Sequence, residues 1–329
     1  MHGAGNDFIL LDLLAPEARA AGAESQDPAA WGQLARAVCD RHFGIGSDGL
    51  LLVVPSFVAD ARMRMFNPDG SESASCGNGI RCLGRYVRDR YDLGNPDLRV
   101  ETGAGVTTIT VRPDGTVTVD MGEPIFDPAR IPIAVRGADA LDVALTLDGI
   151  PPTLTLPLQG GGNEPPLPLG EGWGEGATLS VSCVSMGNPH AVTFVEAGAL
   201  AEYPLETIGP RVEHHPLFPE RTNFEVCEVV AADHVRVRVW ERGAGITLAC
   251  GTGACAAAVV ATTAGRIRPP VRVELPGGEL CIEWAPGGTV LMTGPAEYVF
   301  TGSFSEFRVS SFELRVDALT PTLSQRERE

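Results

Sequence analysis

The segment CGNGIRC at residues 76–82 recurs later in the chain as CGTGAC at residues 250–255. Each copy follows a strand-like run of residues and opens a helix-like run. A polar residue stands nine positions before the first cysteine of each copy, Asn67 in one and Glu241 in the other. The correspondence continues outward on both sides. It predicts one folding unit used twice, because the period of a solenoid repeat would be only roughly 20–50 residues.

The helix-like runs, residues 80–91 and 254–264, differ in character. The second consists almost entirely of alanine and valine, and a helix that is apolar on every side is expected to be buried. It therefore predicts the central helix of a half wrapped by strands. A further amphipathic helix is expected to begin at Asp27-Pro28, which is a good N-cap and first-turn pair.

A cysteine at the start of a helix suits acid–base chemistry. The helix N-terminus leaves amide N–H groups unpaired and carries about half a positive charge, which lowers a thiol pKa from about 8.5 to roughly 3.5–7.5. Two such residues, Cys76 and Cys250, predict a cleft with a thiol on each wall. One thiolate would take a proton from a carbon, and the other thiol would return one to the opposite face. The alternative for each cysteine is a small buried residue beside a turn.

Composition excludes several classes of function. The 329 residues have 44% hydrophobic side chains and a formal net charge of −17, which argues against binding to nucleic acid or to an anionic membrane. All 25 basic residues are arginine. Without lysine the chain cannot hold pyridoxal phosphate as a Schiff base or form the lysine-containing phosphate loop. We therefore expect α-proton chemistry without a cofactor.

The eight cysteines occur without a signal peptide or a membrane-spanning apolar run. We expect free thiols and a cytoplasmic protein. The alternative of a zinc site is disfavoured, because the spacings C-x5-C and C-x4-C differ from those usual for paired zinc ligands. No metal is predicted.

From Met1 to about Phe304 the sequence resembles the diaminopimelate epimerases. The matching stretches, in chain order, are MHGAGNDF (1–8), RHFGIG (41–46), FNPDGSE (66–72), both cysteine segments, GNPH (187–190), RTNF (221–224) and ERG (241–243). The resemblance implies an α/β (α+β) fold of two pseudo-symmetric domains, each a mostly antiparallel or mixed, β-barrel-like sheet around a central helix. It also implies cofactor-free interconversion of LL- and meso-diaminopimelate, for lysine and peptidoglycan precursor synthesis.

The resemblance assigns roles to individual residues. Cys250 is the base for the LL direction and Cys76 is the acid, while His190 and Glu241 tune the two thiols. The residues implied to bind substrate are Asn6, Asn67, Gly77, Asn78, Asn188, Asn223, Glu241, Arg242, Gly251 and Thr252. A zwitterionic substrate needs donors and acceptors, which asparagine supplies, and arginine can clasp a carboxylate with two hydrogen bonds.

The predicted domains are residues 1–121, joined by a returning strand at about 297–304, and residues 122–296. Residues 151–176, half of them glycine or proline, are expected to be a disordered insertion, and residues 305–329 a tail. The first motif includes Met1, so an edge strand that precedes it in the family is expected to be missing.

Two alternatives stay open. A proline or hydroxyproline racemase would share the second cysteine segment, but Asn78 and His190 favour the epimerase. A non-catalytic amino-acid-binding or redox-sensing protein would keep the cleft and exchange no α-proton. We also expect a homodimer.

Overall fold

The computed structural model describes residues 1–15, 27–74, 76–91, 93–134, 140–147, 177–302, 307–309 and 312–314. The insertion predicted at 151–176 lies outside the described residues. So does most of the tail predicted at 305–329, of which only two short paired strands are described.

Four helices and nineteen strands are described. The helices are α1 (Pro28–Cys39), α2 (Gly77–Arg90), α3 (Leu205–Glu213) and α4 (Gly251–Thr263). The strands are β1 (His2–Gly3), β2 (Asn6–Asp12), β3 (Gly49–Val54), β4 (Ala61–Phe66), β5 (Glu72–Ser73), β6 (Asp97–Thr102), β7 (Gly105–Val111), β8 (Val117–Asp120), β9 (Val143–Leu147), β10 (Ala177–Ser185), β11 (Pro189–Val195), β12 (Asn223–Ala231), β13 (His234–Glu241), β14 (Gly245–Thr247), β15 (Val271–Leu275), β16 (Gly278–Glu283), β17 (Leu291–Gly294), β18 (Phe307–Val309) and β19 (Phe312–Leu314).

Two compact units divide the chain. The first unit comprises Met1–Gly3, Asp7–Val111 and Ala296–Glu329, and the second comprises Ala4–Asn6 and Arg112–Pro295. Strand β8 falls in the second unit because it pairs antiparallel with β17, so this unit begins before the boundary predicted at residue 122. The domain assignment itself stays a prediction.

The first unit is built around α2. Strand β2 runs parallel to β3, β3 is antiparallel to β4, and β4 pairs antiparallel with β5 and parallel with β6, which is antiparallel to β7. Helix α2 contacts β3, β4, β6 and β7. Helix α1 begins as predicted, with the Asp27 side chain accepting from the Ala29 N–H. It packs Trp31 and Leu34 against Leu50 of β3.

The second unit repeats this order of pairing. Strand β11 runs parallel to β12, β12 is antiparallel to β13, and β13 pairs antiparallel with β14 and parallel with β15, which is antiparallel to β16. Helix α4 contacts β10 to β13, β15 and β16. Its residues 253–261 are all buried, as the uniformly apolar sequence predicts. The repeat read from the sequence is therefore a repeat of topology.

The structure differs from the prediction of a returning strand at about 297–304. Within the described residues of that range the strand is reduced to one bridge, between His2 and Glu297, and residues 298–302 are not in a strand. The available partner, β1, is only two residues long, so it offers little edge for pairing. Among the helices that the structure describes, none is both long and apolar enough to span a bilayer.

Candidate active site

Cys76 is the N-cap of α2. Its backbone is extended, with φ −151° and ψ 109°, and its Sγ accepts a hydrogen bond from the Gly79 N–H at 3.4 Å. The Ile80 N–H closes the first helical turn onto the Cys76 carbonyl at 2.9 Å. The side chain is partly exposed. The helix start therefore holds the sulfur over its first amides, as the sequence predicts.

A buried arginine organises this helix start. The Arg81 side chain is 0% exposed, and its guanidinium donates to the Asn78 Oδ1 at 2.8 Å and to the Gly77 carbonyl at 3.2 Å. Both partners are predicted substrate-binding residues, and Asn78 is itself buried. Arg81 thus fixes the Asn78 amide and brings a permanent positive charge to the first turn of α2.

Cys250 is the N-cap of α4 and repeats the Cys76 geometry. Its backbone is extended, with φ −119° and ψ 114°, and its Sγ accepts from the Gly253 N–H at 3.4 Å. The Thr252 Oγ1 lies 3.5 Å from the sulfur. In contrast to Cys76, Cys250 is buried, with 6% of its surface exposed.

Two carboxylates surround Cys250. Burial, followed by the negative charges of Glu241 and Glu225, raises the pKa of the Cys250 thiol well above its ordinary value of 9.0, while the Thr252 and Gly253 hydrogen bonds oppose the shift. Burial likewise raises the pKa of Glu241 above 4.5, against a hydrogen bond from the Thr247 hydroxyl at 2.5 Å. These surroundings therefore favour the Cys250 thiol over the thiolate.

His190 lies in a buried polar cluster of the second unit. Its Nδ1 is 2.7 Å from the Glu225 Oε1, with both side chains 0% exposed, and its Nε2 is 3.0 Å from the Asn188 Oδ1. The Asn188 Nδ2 in turn lies 3.4 Å from the Thr252 Oγ1. Three predicted site residues, His190, Asn188 and Thr252, are therefore joined to one another by hydrogen bonds.

Asn223 and Arg242 are also joined. The Asn223 Nδ2 donates to the Pro189 carbonyl at 2.8 Å, and its Oδ1 accepts from the Arg242 N–H at 2.9 Å. The Arg242 guanidinium donates to the Glu220 carbonyl at 3.1 Å. The oxygen and the nitrogen of the Asn223 side-chain amide therefore both bind backbone groups, of Arg242 and of Pro189. The RTNF motif at 221–224 did not reveal this role.

The remaining predicted residues are placed locally. The Asn67 Nδ2 donates to the Ser71 Oγ at 2.9 Å within the turn after β4. Asn6 begins β2 and belongs to the second unit. Gly77 and Gly251 are the first residues of α2 and α4, where their amides belong to the unpaired N–H groups of the helix start.

Sequence reasoning missed Glu225 and Arg81. A signal existed for each. Residues 223, 225 and 227 share one face of β12, because side chains alternate along a strand, so Glu225 lies on the face that carries Asn223. Arg81 follows Gly77 by four positions and Asn78 by three, the spacing at which helical residues contact each other.

Comparisons with known proteins identify the family of this chain. The chain matches the family model described as diaminopimelate epimerase over residues 1–126 and 182–299. A curated relative from Nostoc sp., named diaminopimelate epimerase 1, is 47% identical over 305 residues, which are 92% of this chain and 96% of the relative.

Two solved structures share the fold. A Bacillus anthracis phenazine biosynthesis protein of the PhzF family has a TM-score of 0.55 at 17% identity and covers 89% of this chain and 91% of its own. A hydroxyproline epimerase from Agrobacterium vitis has a TM-score of 0.55 at 15% identity and covers 89% and 87%. These likenesses concern the fold alone and confirm the predicted fold class. By the family match and the identity to its relatives, the chain belongs to the diaminopimelate epimerase family.

Proposed function

We propose that the protein is a cofactor-independent epimerase that interconverts LL-diaminopimelate and meso-diaminopimelate by inverting one α-carbon. The observation that carries the proposal is the duplicated helix start. Each unit presents a thiol as the N-cap of a helix, with the sulfur 3.4 Å from the amide nitrogen three residues later. The curated relatives bear the corresponding name at 43–47% identity.

In the proposed mechanism, the Cys250 thiolate removes the α-proton of the LL substrate, and the Cys76 thiol delivers a proton to the other face. The reverse reaction exchanges the two roles. The environment of Cys250 suits a base, because a thiolate with a raised pKa binds a proton more strongly than an ordinary one. The same shift makes the Cys250 thiolate less populated. The substrate must therefore bind to the small thiolate fraction or promote ionisation of Cys250 when it binds.

Charge on the substrate is met by the two helix starts. We propose that the α-carboxylate accepts hydrogen bonds from the amides of Gly77 and Asn78 and of Gly251 and Thr252. These donors stabilise the negative charge that spreads onto the carboxylate as the proton leaves. The residues proposed to hold the distal amino-acid end are Asn6, Asn67, Asn188, Asn223 and Arg242. Glu241 and His190 are proposed to set the protonation of the thiols.

The test is hydrogen exchange at the α-carbon. Purified protein is incubated with LL-diaminopimelate in heavy water, and deuterium at the α-carbon and the ratio of stereoisomers are followed. Wild-type protein is expected to exchange and epimerise, and Cys76→Ala and Cys250→Ala are each expected to lose at least about a hundredfold in epimerisation, the lower range for an acid–base group. Deuterium uptake by wild-type protein that equals a protein-free control would refute the proposal.

The same assay separates the alternatives. A proline racemase-like enzyme would exchange the α-proton of proline or hydroxyproline rather than that of diaminopimelate, and an amino-acid-binding protein would exchange neither. Cytoplasmic location and a homodimer stay predictions, which cell fractionation and the molar mass in solution would test.

A further inference from the structure

The last residue of α3, Glu213, is a buried carboxylate that the proposed mechanism does not use. Its side chain is 4% exposed. One oxygen, Oε1, accepts hydrogen bonds from the Gly243 N–H at 2.9 Å and from the Arg221 guanidinium at 3.3 Å. The other oxygen, Oε2, accepts from the Trp240 indole N–H at 2.7 Å. Burial of a carboxylate is costly unless it is hydrogen-bonded, and here each oxygen has a donor.

The partners of Glu213 lie on both sides of two site residues. Two of its donors, Trp240 and Gly243, are separated by only two positions of the chain. Those positions hold Glu241, proposed to set the protonation of the thiols, and Arg242, proposed to hold the distal amino-acid end of the substrate. The carboxylate therefore binds the chain immediately before and immediately after this pair.

The turn at residues 241–245 depends on such anchors. Gly243 and Gly245 both have a φ of +79°, and glycine has more backbone freedom to lose on folding than any other residue. Two successive amides of the turn are held by side chains from different elements. The Arg242 N–H donates to the Asn223 Oδ1 on β12, and the Gly243 N–H donates to Glu213 on α3. Together these acceptors fix the turn on two sides.

Close packing sets where the carboxylate stands. Gly209 precedes Glu213 by four positions and so lies on the same face of α3. A Cβ at Gly209 would lie 2.5 Å from the Cδ2 atom of the Trp240 ring, so the helix approaches the indole more closely than any other residue type would allow. The ring and the carboxylate are therefore held within hydrogen-bonding distance by the contact between α3 and β13.

We propose that Glu213 is a positioning residue that sets the conformation of the turn at 241–245 and thereby places Arg242 for the distal carboxylate of the substrate. Glu213 acts through the Gly243 amide and the Trp240 indole and not through contact with the substrate. The effect on substrate binding deepens the proposed function and rests on it. The effect on the turn is a property of the protein without substrate.

Glutamine at position 213 would keep the shape of the side chain and spoil its hydrogen bonds, because it replaces one acceptor by a donor. If the glutamine oxygen accepts from Gly243 and Arg221, its NH2 group faces the Trp240 indole N–H. If the amide is rotated by half a turn, its NH2 group faces the Gly243 N–H and the guanidinium. Either orientation opposes two donors and leaves a buried N–H unsatisfied. Trp240→Phe removes the indole N–H and so makes the first orientation acceptable.

The first test measures the turn without substrate. Exchange of backbone amides with heavy water is followed by mass spectrometry of peptides that cover residues 241–247. Glu213→Gln is expected to speed exchange there at least about tenfold, the effect of losing one hydrogen bond to a charged group. The same substitution made in a Trp240→Phe protein should change the exchange little, because the glutamine oxygen can then accept from Gly243 without an opposing donor.

Glu228→Gln is the matched control. Glu228 is a buried glutamate on β12 of the same unit and accepts from the Gly198 N–H at 2.9 Å, a bond that a glutamine oxygen can also accept. Exchange at 241–247 should be that of wild type in this variant. Wild-type exchange in Glu213→Gln would overturn the proposal. So would an effect of Glu213→Gln that is equally large with and without the indole of Trp240.

The second test measures KM and kcat for LL-diaminopimelate. Arg242 is proposed to contact the end of the substrate that does not react, so Glu213→Gln is expected to raise KM about tenfold and to change kcat less. Glu213→Gln/Trp240→Phe should have a KM close to that of Trp240→Phe alone. An unchanged KM in Glu213→Gln would overturn its role in substrate binding. Wild-type protein that turns over no diaminopimelate would contradict the proposed function, whereas the exchange experiment still decides the role of Glu213 in the turn.

Discussion

The helix starts at Cys76 and Cys250 have the same backbone conformation and differ in the charged side chains around them. In both, an extended cysteine caps the helix and its sulfur lies 3.4 Å from a glycine amide nitrogen. Next to the partly exposed Cys76, the buried Arg81 guanidinium donates to Gly77 and Asn78 at the start of α2, whereas the buried Cys250 has Glu241 and Glu225 as its charged neighbours. Duplication of the unit kept the geometry that holds a thiol, while the side chains around it diverged.

We expect this difference to give the two thiols different acid–base character. A neighbouring cation favours a thiolate and neighbouring carboxylates favour a thiol. A two-base mechanism requires one group of each kind at a time. Two helix starts with different charges would favour one thiolate and one thiol, which two identical copies would not. We therefore predict different effects for substitutions in the two copies.

The largest effect is expected from the buried pair of the second unit. His190→Leu removes the partner of the Glu225 carboxylate, and leaving a buried charge unpaired costs roughly 3–5 kcal/mol of unfolding free energy. The double variant His190→Leu/Glu225→Leu removes both polar side chains and should recover most of that loss. Denaturant unfolding of both variants measures it, and a double variant no more stable than the single one would contradict the pairing.

The next effect compares the two glycines that meet the sulfurs. A Cβ at Gly253 would lie 2.8 Å from the Glu225 Oε1, which His190 holds in place, whereas a Cβ at Gly79 would lie 3.0 Å from the flexible end of Leu51. Gly253→Ala is therefore expected to cost about 1–3 kcal/mol, as overpacking does. Gly79→Ala should cost less. Thermal unfolding of the two variants decides, and an equal loss would show that the copies pack alike.

A smaller effect is expected at Arg81. Arg81→Met removes the buried cation and is expected to slow iodoacetamide alkylation of Cys76 at neutral pH about tenfold, the equivalent of about 1.4 kcal/mol. Alkylation of Cys250 should not change. The control is Arg85→Met, one turn further along α2, where Arg85 pairs with Asp89 near the surface. A Cys76 rate that is unchanged in Arg81→Met would remove the charge contrast between the units.

The smallest expected effect is on how steeply the unfolding free energy changes with pH. Because the folded state raises the pKa of Cys250 above 9.0, its contribution to stability is fully present below about pH 9 and is lost as pH rises toward the folded value. Cys250→Ser should therefore flatten the fall of unfolding free energy above pH 9 by at most about 1.4 kcal/mol per pH unit, the value for one proton. Urea unfolding at several alkaline pH values measures this. An unchanged slope would mean that Cys250 ionises equally well in the folded and unfolded states.

Much of the fold was predictable from local pattern. The start of α1 at Asp27-Pro28 and the burial of α4 were predicted correctly, because caps and apolar runs are properties of neighbouring residues. The strand expected at about 297–304 does not form over residues 298–302, the part of that range described beyond the Glu297 bridge, because strand formation depends on the partner edge, and β1 offers only two residues.

The sequence alone determined that one unit occurs twice, that a cysteine begins a helix in each copy, and that no lysine is present for a Schiff base. Those conclusions need only the order of residues. The tertiary structure decided that Glu225 lies against His190 and Gly253, that Arg81 is buried, and that Asn223 holds the Arg242 backbone. The parallel register that pairs His190 with Asn223 brings together residues more than 30 positions apart, and charge effects at a thiol depend on burial and distance in space.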